Sequence, residues 1–526
     1  MDTRNANLGY FNRKAAKNQG NRTALIDLSS EQKRQITHAA LDGRMEMVAG
    51  ALAANGLKPG DRLLLAMGNR HEFIEVFFGA MRAGIVPIPL NIRLGADTIC
   101  FIIDDAACEA AVIEPGCHPR IEQIIEDKKL GLRVSLGAVP TGWTDYESML
   151  ACDLKKPFQP PAIAPDQIAF LPYTSGSTGR PKGVLLSHEG MLWAIRLSQL
   201  YWPCAPDDRT LVAGPLFHKN AMRVSIKPKL FVGASAVILP RFEPRLFLTA
   251  LAEHGCTDIG GVPAMYRMML AEDALLTELK FPRLKTLEMG SAVVGADLIK
   301  AVEAAFGAPV EEAYGLTEGG GPLRQPIDGG PVPRGSCGVV SPGFAVKLVD
   351  DAGKEQRENG ELWVRSPAVL TAYNNRPGLT AERLTDGWLH TNDLFHRDAA
   401  GFFYFRGRTD DQFTCGGENI QPKEVELLLV QHPAVIDATV VPIEHEMKGL
   451  APAALVTLRA DAIAGEDDIK RFCMENGPAY AHPRRVFPVD ALPIGGTGKV
   501  DRKAAKETIE ALIAVGLIRD PVETTN

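Results

Sequence analysis

Hydrophobic and polar positions follow two alternating periods along the chain as far as Phe306. Asp61–Met67 and Ile85–Leu90 are short apolar runs typical of buried strands, and between them His71–Ala83 repeats apolar residues at helical spacing. Strands that alternate with helices predict parallel sheets covered by helices, and so an α/β fold. The rhythm continues with predicted strands at Ile168–Tyr173, Ser235–Leu239 and Thr286–Met289, and predicted helices at Gly190–Leu200, Arg245–His254 and Ala296–Phe306.

The pattern changes beyond about Gly335. Glu361–Arg365 and Gly401–Phe405 are short apolar runs between turn-forming residues, which predicts a β-rich subdomain. A charged, non-periodic junction follows at Arg408–Asp411. We place a domain boundary there, with an N-terminal domain at 1–409 and a C-terminal domain at 410–526. The second domain is predicted to be a small α+β unit from Val425–Val430, Val435–Pro442, Ala453–Leu458, Asp467–Met474 and Ala504–Ile513.

Composition narrows the class of protein. The chain has 526 residues, of which 45% are hydrophobic and 23% charged, as in ordinary globular proteins. A net charge of −7 argues against a general nucleic-acid binder. The nine cysteines form no CxxC pair, so we expect neither a disulfide framework nor a zinc site, and we predict a cytoplasmic protein. We expect no secretory signal and no membrane span, since no apolar run reaches ~18 residues.

The segment Tyr173–Gly183 carries the strongest chemical signal. It combines three glycines, which allow close approach to a ligand, with four hydroxyl side chains and the cations Arg180 and Lys182. A predicted strand precedes it, and this combination suits a polyphosphate. Its spacing differs from the GxxxxGK[ST] of a Walker A loop. The alternative interpretation of such a segment is a flexible surface loop.

Further motifs follow in a recognisable order: Glu312–Glu318, Gly360–Trp363, Thr391–Asp393, Gly407–Asp411 and Gly495–Lys499. With this set the chain resembles, over nearly its whole length, the adenylate-forming superfamily of acyl-CoA synthetases, peptide-synthetase adenylation domains and beetle luciferases. The resemblance implies a large N-terminal domain of parallel-rich sheets packed with helices plus a β-rich subdomain, and a small mobile C-terminal domain. It also implies that a carboxylate attacks ATP to give an acyl-adenylate and pyrophosphate, after which a thiol displaces AMP.

The resemblance assigns nucleotide-binding residues to the N-terminal domain. Thr317 is expected to donate to the α-phosphate, and Glu318 to hold Mg²⁺. Tyr314 corresponds to the aromatic residue that packs on adenine, and Glu312 to a residue that accepts from the adenine amine. The remaining expected ATP- or AMP-binding residues are the phosphate loop, Thr174, Ser175, Gly176, Ser177, Thr178, Gly179 and Lys182, together with Ser291, Ala292, Ala313 and Gly315.

Three more nucleotide contacts are implied nearer the C-terminus. Asp393 corresponds to the acid that binds both ribose hydroxyls, and Asn392 stands before it where the family usually has glycine. Arg408 corresponds to an arginine near the ribose and phosphate. Lys499 corresponds to a catalytic lysine that bridges the carboxylate and the α-phosphate, where a cation stabilises developing charge. Asp410 corresponds to the hinge about which the small domain rotates between the two half-reactions.

The acyl site is implied around Pro215–His218, where His218 is expected to be a wall or gate for the carboxylate. Nearby Lys219 and Arg223 are expected to be solvated, with binding of a second acidic group on the substrate as the alternative. The run Gly319–Gly321 makes room for a bulky acid or simply forms a turn. The pocket is expected to be lined by parts of Asn220–Val224, Val262–Tyr266, Gly290–Ala292 and Gly315–Gly320.

The thiol acceptor is implied by the segment Thr414–Ile420, which resembles the loop of acyl-CoA synthetases. Gly416, Gly417 and Glu418 are therefore expected to bind CoA, and residues 411–526 leave no space for a carrier domain. We predict an ATP-dependent carboxylic acid–CoA ligase that uses ATP, Mg²⁺ and CoA, with a homodimer as one assembly. The alternatives are an acyl-AMP ligase serving a separate carrier protein and a non-enzymatic nucleotide-binding scaffold. The acid is left open as aliphatic, alicyclic or aromatic.

Overall fold

The computed structural model describes residues 3–30, 32–151, 157–174, 180–290, 296–327, 329–415, 418–459, 462, 464–478, 481–495 and 499–514. These residues divide into two compact units. The first comprises 3–347, 363–391 and 400–402, and the second comprises 348–362, 392–399 and 403–514. The second unit thus includes chain that precedes Asp410, and the boundary at that residue stays a prediction.

The largest sheet of the first unit has nine strands among the described residues. Its six central strands are parallel to one another, and antiparallel strands extend it at both edges. The parallel strands alternate with helices along the chain, which confirms the predicted α/β fold. The order across the sheet is Val339–Val340, Gly320–Arg324, Val310–Leu316, Thr286–Gly290, Asp258–Gly261, Arg209–Val212, Ser235–Ile238, Thr23–Asp27 and Arg34–Thr37.

A second sheet of five parallel strands is built from the order Val86–Pro89, Arg62–Ala66, Ala110–Ile113, Leu132–Ser135 and Thr144–Asp145. Helix His71–Arg82 is buried along its whole length, including the charged residues Glu72, Glu75 and Arg82. The other α-helices of this unit are Arg13–Asn18, His38–Ala54, Ala96–Ala106, Ile121–Asp127, Tyr146–Leu150, His188–Tyr201, Lys227–Val232, Pro244–Glu253, Pro263–Leu270, Asp273–Glu278, Ala296–Phe306 and Pro377–Arg383. Ala221–Ile226 is a π-helix, and Thr3–Ala6 and Leu8–Tyr10 are 3₁₀-helices.

A small antiparallel sheet carries the predicted phosphate loop. Its strands are Ile168–Phe170, Tyr173–Thr174, Lys182–Ser187 and Ala372–Tyr373. The predicted strand Ile168–Tyr173 is therefore two strands, because Pro172 has no N–H to donate to a neighbouring strand. Ser187 ends the sheet and begins helix His188–Tyr201, since its hydroxyl accepts from the Gly190 N–H at 3.2 Å.

The second unit is built on a sheet in the order Glu418–Ile420, Phe413–Cys415, Gly449–Leu458 and Val435–His445, with Arg485–Pro488 beside Gly449–Leu458. Helices Pro422–Leu429, Glu466–Asn476 and Arg502–Ala514 complete it. Val440, Val456 and Leu429 are among the buried residues of its own core. The remaining strands are Ala345–Val349, Glu355–Gln356, Asn359–Arg365, Leu384–Thr385, Trp388–Arg397 and Phe403–Arg408.

Candidate active site

The motif Glu312–Glu318 forms the end of a parallel strand and the turn that follows it. Strand Val310–Leu316 turns back into Gly320–Arg324, with Leu316 opposite Gly320. Thr317 and Glu318 therefore lie at the tip of this hairpin, beyond the carboxyl end of a parallel strand. In open α/β sheets this edge is where ligands bind.

The first residue of the predicted phosphate loop lies beside this tip. The Thr174 hydroxyl is 3.5 Å from Oε1 of Glu318, and Thr174 pairs with Lys182 across the antiparallel strands. The structure thus brings together two predicted site residues that are 144 positions apart in sequence. The predicted loop residues Ser175, Gly176, Ser177, Thr178 and Gly179 lie outside the described residues.

The predicted adenine residues share one face of strand Val310–Leu316. Glu312 and Tyr314 are two positions apart, so their side chains point the same way, and Ala313 points the other way. Both Glu312 and Tyr314 are half-buried. Burial raises the pKa of Glu312 to about 7, although the N–H of Gly335 partly offsets this. The predicted residues Ser291 and Ala292 lie outside the described residues.

Lys219 follows the predicted wall residue His218 and faces the same hairpin tip. Its ammonium donates to the Thr317 carbonyl, and only 7% of its surface is exposed. The expectation of a solvated Lys219 is therefore wrong, because this carbonyl replaces water around the ammonium. Burial and the charges of Lys227 and Arg223 hold the pKa of Lys219 well below its usual value, against the opposing effect of Glu318. His218 itself is half-buried, and its Nδ1 accepts from the Asn220 N–H at 3.3 Å.

Arg223 lies against the body of the hairpin. Its side chain is half-buried, and Nη2 donates to Oδ1 of Asn220 at 3.3 Å. A Cβ placed on Gly321 would lie 2.4 Å from Nη1 of Arg223, and one on Gly315 would lie 3.0 Å from Nη2. Only glycine allows the guanidinium to approach so closely. Arg223 thus joins two segments predicted to line the acyl pocket.

The run Gly319–Gly321 serves this close approach and the turn. Gly320 has a φ of 80°, in the left-handed region that favours glycine. A Cβ on Gly319 would lie 2.9 Å from Leu389. Of the two interpretations, the described residues therefore support a turn.

Sequence reasoning missed three buried charges behind Arg223. Glu288 lies on strand Thr286–Gly290, and its Oε1 is 4.0 Å from Nη2 of Arg324. Burial raises the pKa of Glu288 despite the charges of Arg324 and Arg223. Lys227 is 3% exposed, and burial followed by the charge of Arg223 lowers its pKa to about 7. The recurrence of cations at 219, 223 and 227 in an apolar segment was the available signal.

The predicted ribose and hinge residues lie within the second unit. Strands Trp388–Arg397 and Phe403–Arg408 pair so that Asp393 lies opposite Arg408. Nη1 of Arg408 donates to Asp393 at 3.2 Å, while Nε and Nη2 donate to Asp410 at 2.7 and 3.0 Å. Burial would lower the pKa of Arg408, but these hydrogen bonds and acidic charges raise it above its ordinary value. Asp410 itself belongs to the 3₁₀-helix Thr409–Asp411.

Asn392, which stands where the family usually has glycine, lies within strand Trp388–Arg397. Its φ is 59°, a left-handed conformation that asparagine tolerates better than most residues. Its N–H donates to Oε1 of Glu361 at 2.7 Å, which holds the backbone beside Asp393.

Lys499 is exposed, and its carbonyl accepts from the Gly495 N–H at 2.7 Å. This bond and the bridge between Ile494 and Val500 close a turn in which the lysine lies.

Glu418, one of the predicted CoA-binding residues, is exposed at the start of strand Glu418–Ile420, opposite Cys415. The predicted CoA residues Gly416 and Gly417 lie outside the described residues.

Comparison with known proteins agrees with this geometry. Residues 11–374 match the family described as "AMP-binding enzyme", and residues 424–499 match "AMP-binding enzyme C-terminal domain". The chain belongs to the AMP-binding enzyme family. Family membership confirms the predicted resemblance to adenylate-forming enzymes.

Individual relatives of this AMP-binding enzyme are CoA ligases. Feruloyl-CoA synthase of Amycolatopsis sp is 32% identical over 469 residues, which cover 88% of this chain and 92% of that protein. Oxalate–CoA ligase of Arabidopsis thaliana is 30% identical over 488 residues, covering 90% and 94%. The crystal structure of the anthranilate CoA ligase AuaEII with anthranoyl-AMP superposes with a TM-score of 0.87 at 25% identity, covering 97% and 98%. These likenesses confirm the predicted class, an ATP-dependent acid–CoA ligase.

None of the helices in the described part of the chain is both long and apolar enough to cross a membrane.

Proposed function

We propose that this AMP-binding enzyme activates a small carboxylic acid with ATP and transfers the acyl group directly to CoA. A carboxylate oxygen attacks the α-phosphorus and pyrophosphate leaves. The CoA sulfur then attacks the acyl carbon, AMP leaves, and the thiol proton passes to solvent. The observation that carries the proposal is the adjacency of Thr174 and Glu318 at the carboxyl edge of the large sheet.

Residues of the first unit bind the nucleotide and the acid in this proposal. Lys182 and the phosphate loop bind the β- and γ-phosphates, where a cation and backbone N–H groups match anionic oxygens. The Thr317 hydroxyl donates to the α-phosphate. Tyr314 packs on adenine, and Glu312 accepts from its amine. His218 forms the wall beside the reacting carboxylate.

The Glu318 carboxylate fits Mg²⁺, because hard cations prefer oxygen ligands and the Thr174 hydroxyl oxygen is close to it. Mg²⁺ bound there would neutralise charge on the phosphates. Glu318 and Thr174 would hold the ion, and Glu318 also offsets the positive charge of Lys219.

Residues of the second unit complete the reaction. Asp393 binds the ribose hydroxyls, and Arg408 orients Asp393 while lying near the phosphate. Lys499 stabilises the negative charge that develops during adenylation. Gly416, Gly417 and Glu418 bind CoA in the second step, after rotation about Asp410. Cytoplasmic location and a homodimer also remain predictions.

The relatives do not identify the carboxylic acid that this enzyme activates. The two named above act on ferulate and oxalate, which differ in size and charge. Transfer to a carrier protein remains the alternative for the second step.

A panel of acids scored for ATP–pyrophosphate exchange and for CoA-dependent AMP release tests the proposal. We expect exchange with at least one acid in the absence of CoA, and AMP release once CoA is added. Exchange without CoA-dependent AMP release would favour the carrier-protein alternative. No exchange with any acid would contradict the proposed function.

A further inference from the structure

Three cations beside the hairpin have no carboxylate ion partner among the described residues. Among the described residues, no carboxylate lies within ion-pair distance of Lys219, Arg223 or Lys227. Lys229, on the same segment, shows the usual arrangement: its ammonium is 2.7 Å from Asp258. A buried charge costs several kcal/mol unless a counter-charge and hydrogen bonds compensate it.

The other cations of this region already have favourable contacts with neighbouring side chains. Arg324 lies over the rings of Tyr201 and Trp202, at 4.6 and 5.0 Å, and is the cation nearest to Glu288. Lys227 lies over the Phe170 ring at 5.8 Å. Such contacts with an aromatic face are favourable for a cation. Glu318 offsets the charge of Lys219, so Arg223 remains as the cation in need of an anion.

Lys219 and Arg223 each have more N–H donors than hydrogen bonds among the described residues. The ammonium of Lys219 has three donors, and one is used at the Thr317 carbonyl. The guanidinium of Arg223 has five donors, and its hydrogen bond to Asn220 uses one. A planar guanidinium also matches the two oxygens of a carboxylate.

Lys219 and Arg223 lie at different distances from the end of the site at which the carboxylate is proposed to react. Lys219 contacts the hairpin tip at Thr317, whereas Arg223 lies against Gly315 and Gly321 in its body. Gly315 is exposed and Arg223 is half-buried, so a small molecule can reach the guanidinium there. A carboxylate reacting at the tip would leave the far end of the same molecule near Arg223.

Two short runs that continue directly from this site lie outside the described structure, and their sequences contain no acidic residue. The five residues after strand Thr286–Gly290 are Ser-Ala-Val-Val-Gly, and those after Thr174 are Ser-Gly-Ser-Thr-Gly. Neither run contains an acidic residue. The missing anion is thus absent from the two chain segments that continue directly from this site.

We propose that the acid activated by this enzyme carries a second anionic group, a carboxylate or sulfonate, bound by Arg223. The inference rests on the proposed function and narrows its substrate class. Arg223 determines specificity, since it contacts the far end of the substrate, whereas Lys219 lies at the reacting end. Pairing with the anion compensates the charge of Arg223, and an uncharged end would leave that charge uncompensated.

Matched acids test this inference through ATP–pyrophosphate exchange. Succinate is compared with butyrate, 3-sulfopropionate with butyrate, and terephthalate with benzoate. In at least one pair we expect the dianion to have a kcat/KM higher by about 10- to 150-fold, as for one hydrogen bond to a charged group. Exchange with monoanionic acids but none with their dianionic partners would overturn the inference and leave the proposed function intact. Absence of exchange with every acid would overturn both.

Variants locate the effect. Arg223→Met should lower the dianion-to-monoanion ratio of kcat/KM by at least about tenfold, and Arg223→Lys should restore part of it. Arg245→Met is the matched control, because it removes an arginine of the same unit that is paired with Glu272 at 2.7 Å. An unchanged ratio in Arg223→Met would overturn the assignment. If that variant does not fold, thermal stabilisation of the wild-type protein by the preferred dianion, but not by its monoanionic partner, decides the question. Equal stabilisation by both would overturn the inference.

Discussion

Asp393→Asn isolates the proposed ribose contact. Asp393 is 6% exposed, and Asn keeps its shape while removing its charge. Two ribose hydroxyls bound to one carboxylate make two charge-assisted hydrogen bonds, each contributing about 1.5–3 kcal/mol. Asn retains one acceptor oxygen, so one such bond is lost. We expect a cost of about 2–3 kcal/mol, or about 30- to 150-fold in kcat/KM for ATP.

Folding should be affected little by the same change. Arg408 keeps its two bonds to Asp410, and 39% of its side chain is exposed, so solvent screens its charge. We expect the free energy of unfolding to fall by less than about 1 kcal/mol. Asp398→Asn on the same hairpin is the control, because Asp398 accepts from the Tyr404 hydroxyl at 3.0 Å and has no proposed ligand.

The assay is ATP–pyrophosphate exchange with ATP and with 2′,3′-dideoxy-ATP. The analogue lacks both hydroxyls, so the penalty of Asp393→Asn should largely disappear with it, as expected for two changes that remove one interaction. An equal penalty with both nucleotides would refute the ribose assignment. So would a variant whose kcat/KM for ATP equals that of the wild type.

Three further predictions concern the second half-reaction and the adenine strand. Gly417→Leu should lower thioester formation by about 5- to 150-fold through crowding of the proposed CoA tunnel, with exchange retained, and normal CoA transfer would contradict the tunnel. Asp410→Pro fixes φ near −65° and should retain much of the exchange rate but lose most thioester formation. Asp410→Ala removes the same bonds to Arg408 without fixing φ, and equal losses in both variants would argue against a hinge. The pKa of Glu312 is raised, so its contribution to stability is present below about pH 4.5 and is lost as the pH rises through about 7. Glu312→Gln should therefore become more stable relative to wild type by about 1–3 kcal/mol between pH 4.5 and 8 in urea unfolding, and parallel pH profiles would contradict this.

The strands and helices were predictable where one side-chain period dominates. Helix Ala296–Phe306 has both predicted bounds, because its apolar spacing is uninterrupted. The strand Ile168–Tyr173 was predicted too long, since apolar character continues past Pro172 although the hydrogen-bonding capacity does not. The sequence also did not show that Asn392 keeps a left-handed conformation inside a strand, beside a hydrogen bond to Glu361 from a distant segment.

The proposed nucleotide-binding motifs could be recognised from the sequence because the residues of each motif are close together in it, and their roles stay predictions. The contacts of the cations Lys219 and Arg223 could not be predicted, since they join segments that are far apart. From its neighbours in the sequence alone, Lys219 is predicted to be solvated. Its burial depends on the Thr317 carbonyl. Glu288 and Arg324 meet Arg223 only through the pairing of the sheet. The spacing of the three cations is visible in the sequence. The backbone carbonyl and the aromatic rings that contact the cations are known only from the structure.

The role of Lys499 is the central claim of the two-step account, and separate measurement of the half-reactions tests it most directly. Lys499→Ala is compared with Lys503→Ala, a nearby exposed lysine. Because Lys499 is exposed, the variant should fold normally. We predict that Lys499→Ala loses about 10²–10³ in the rate of acyl-adenylate formation, while thioester formation from preformed acyl-adenylate and CoA stays near the wild-type rate. Equal losses in both half-reactions, or normal adenylation, would contradict the account.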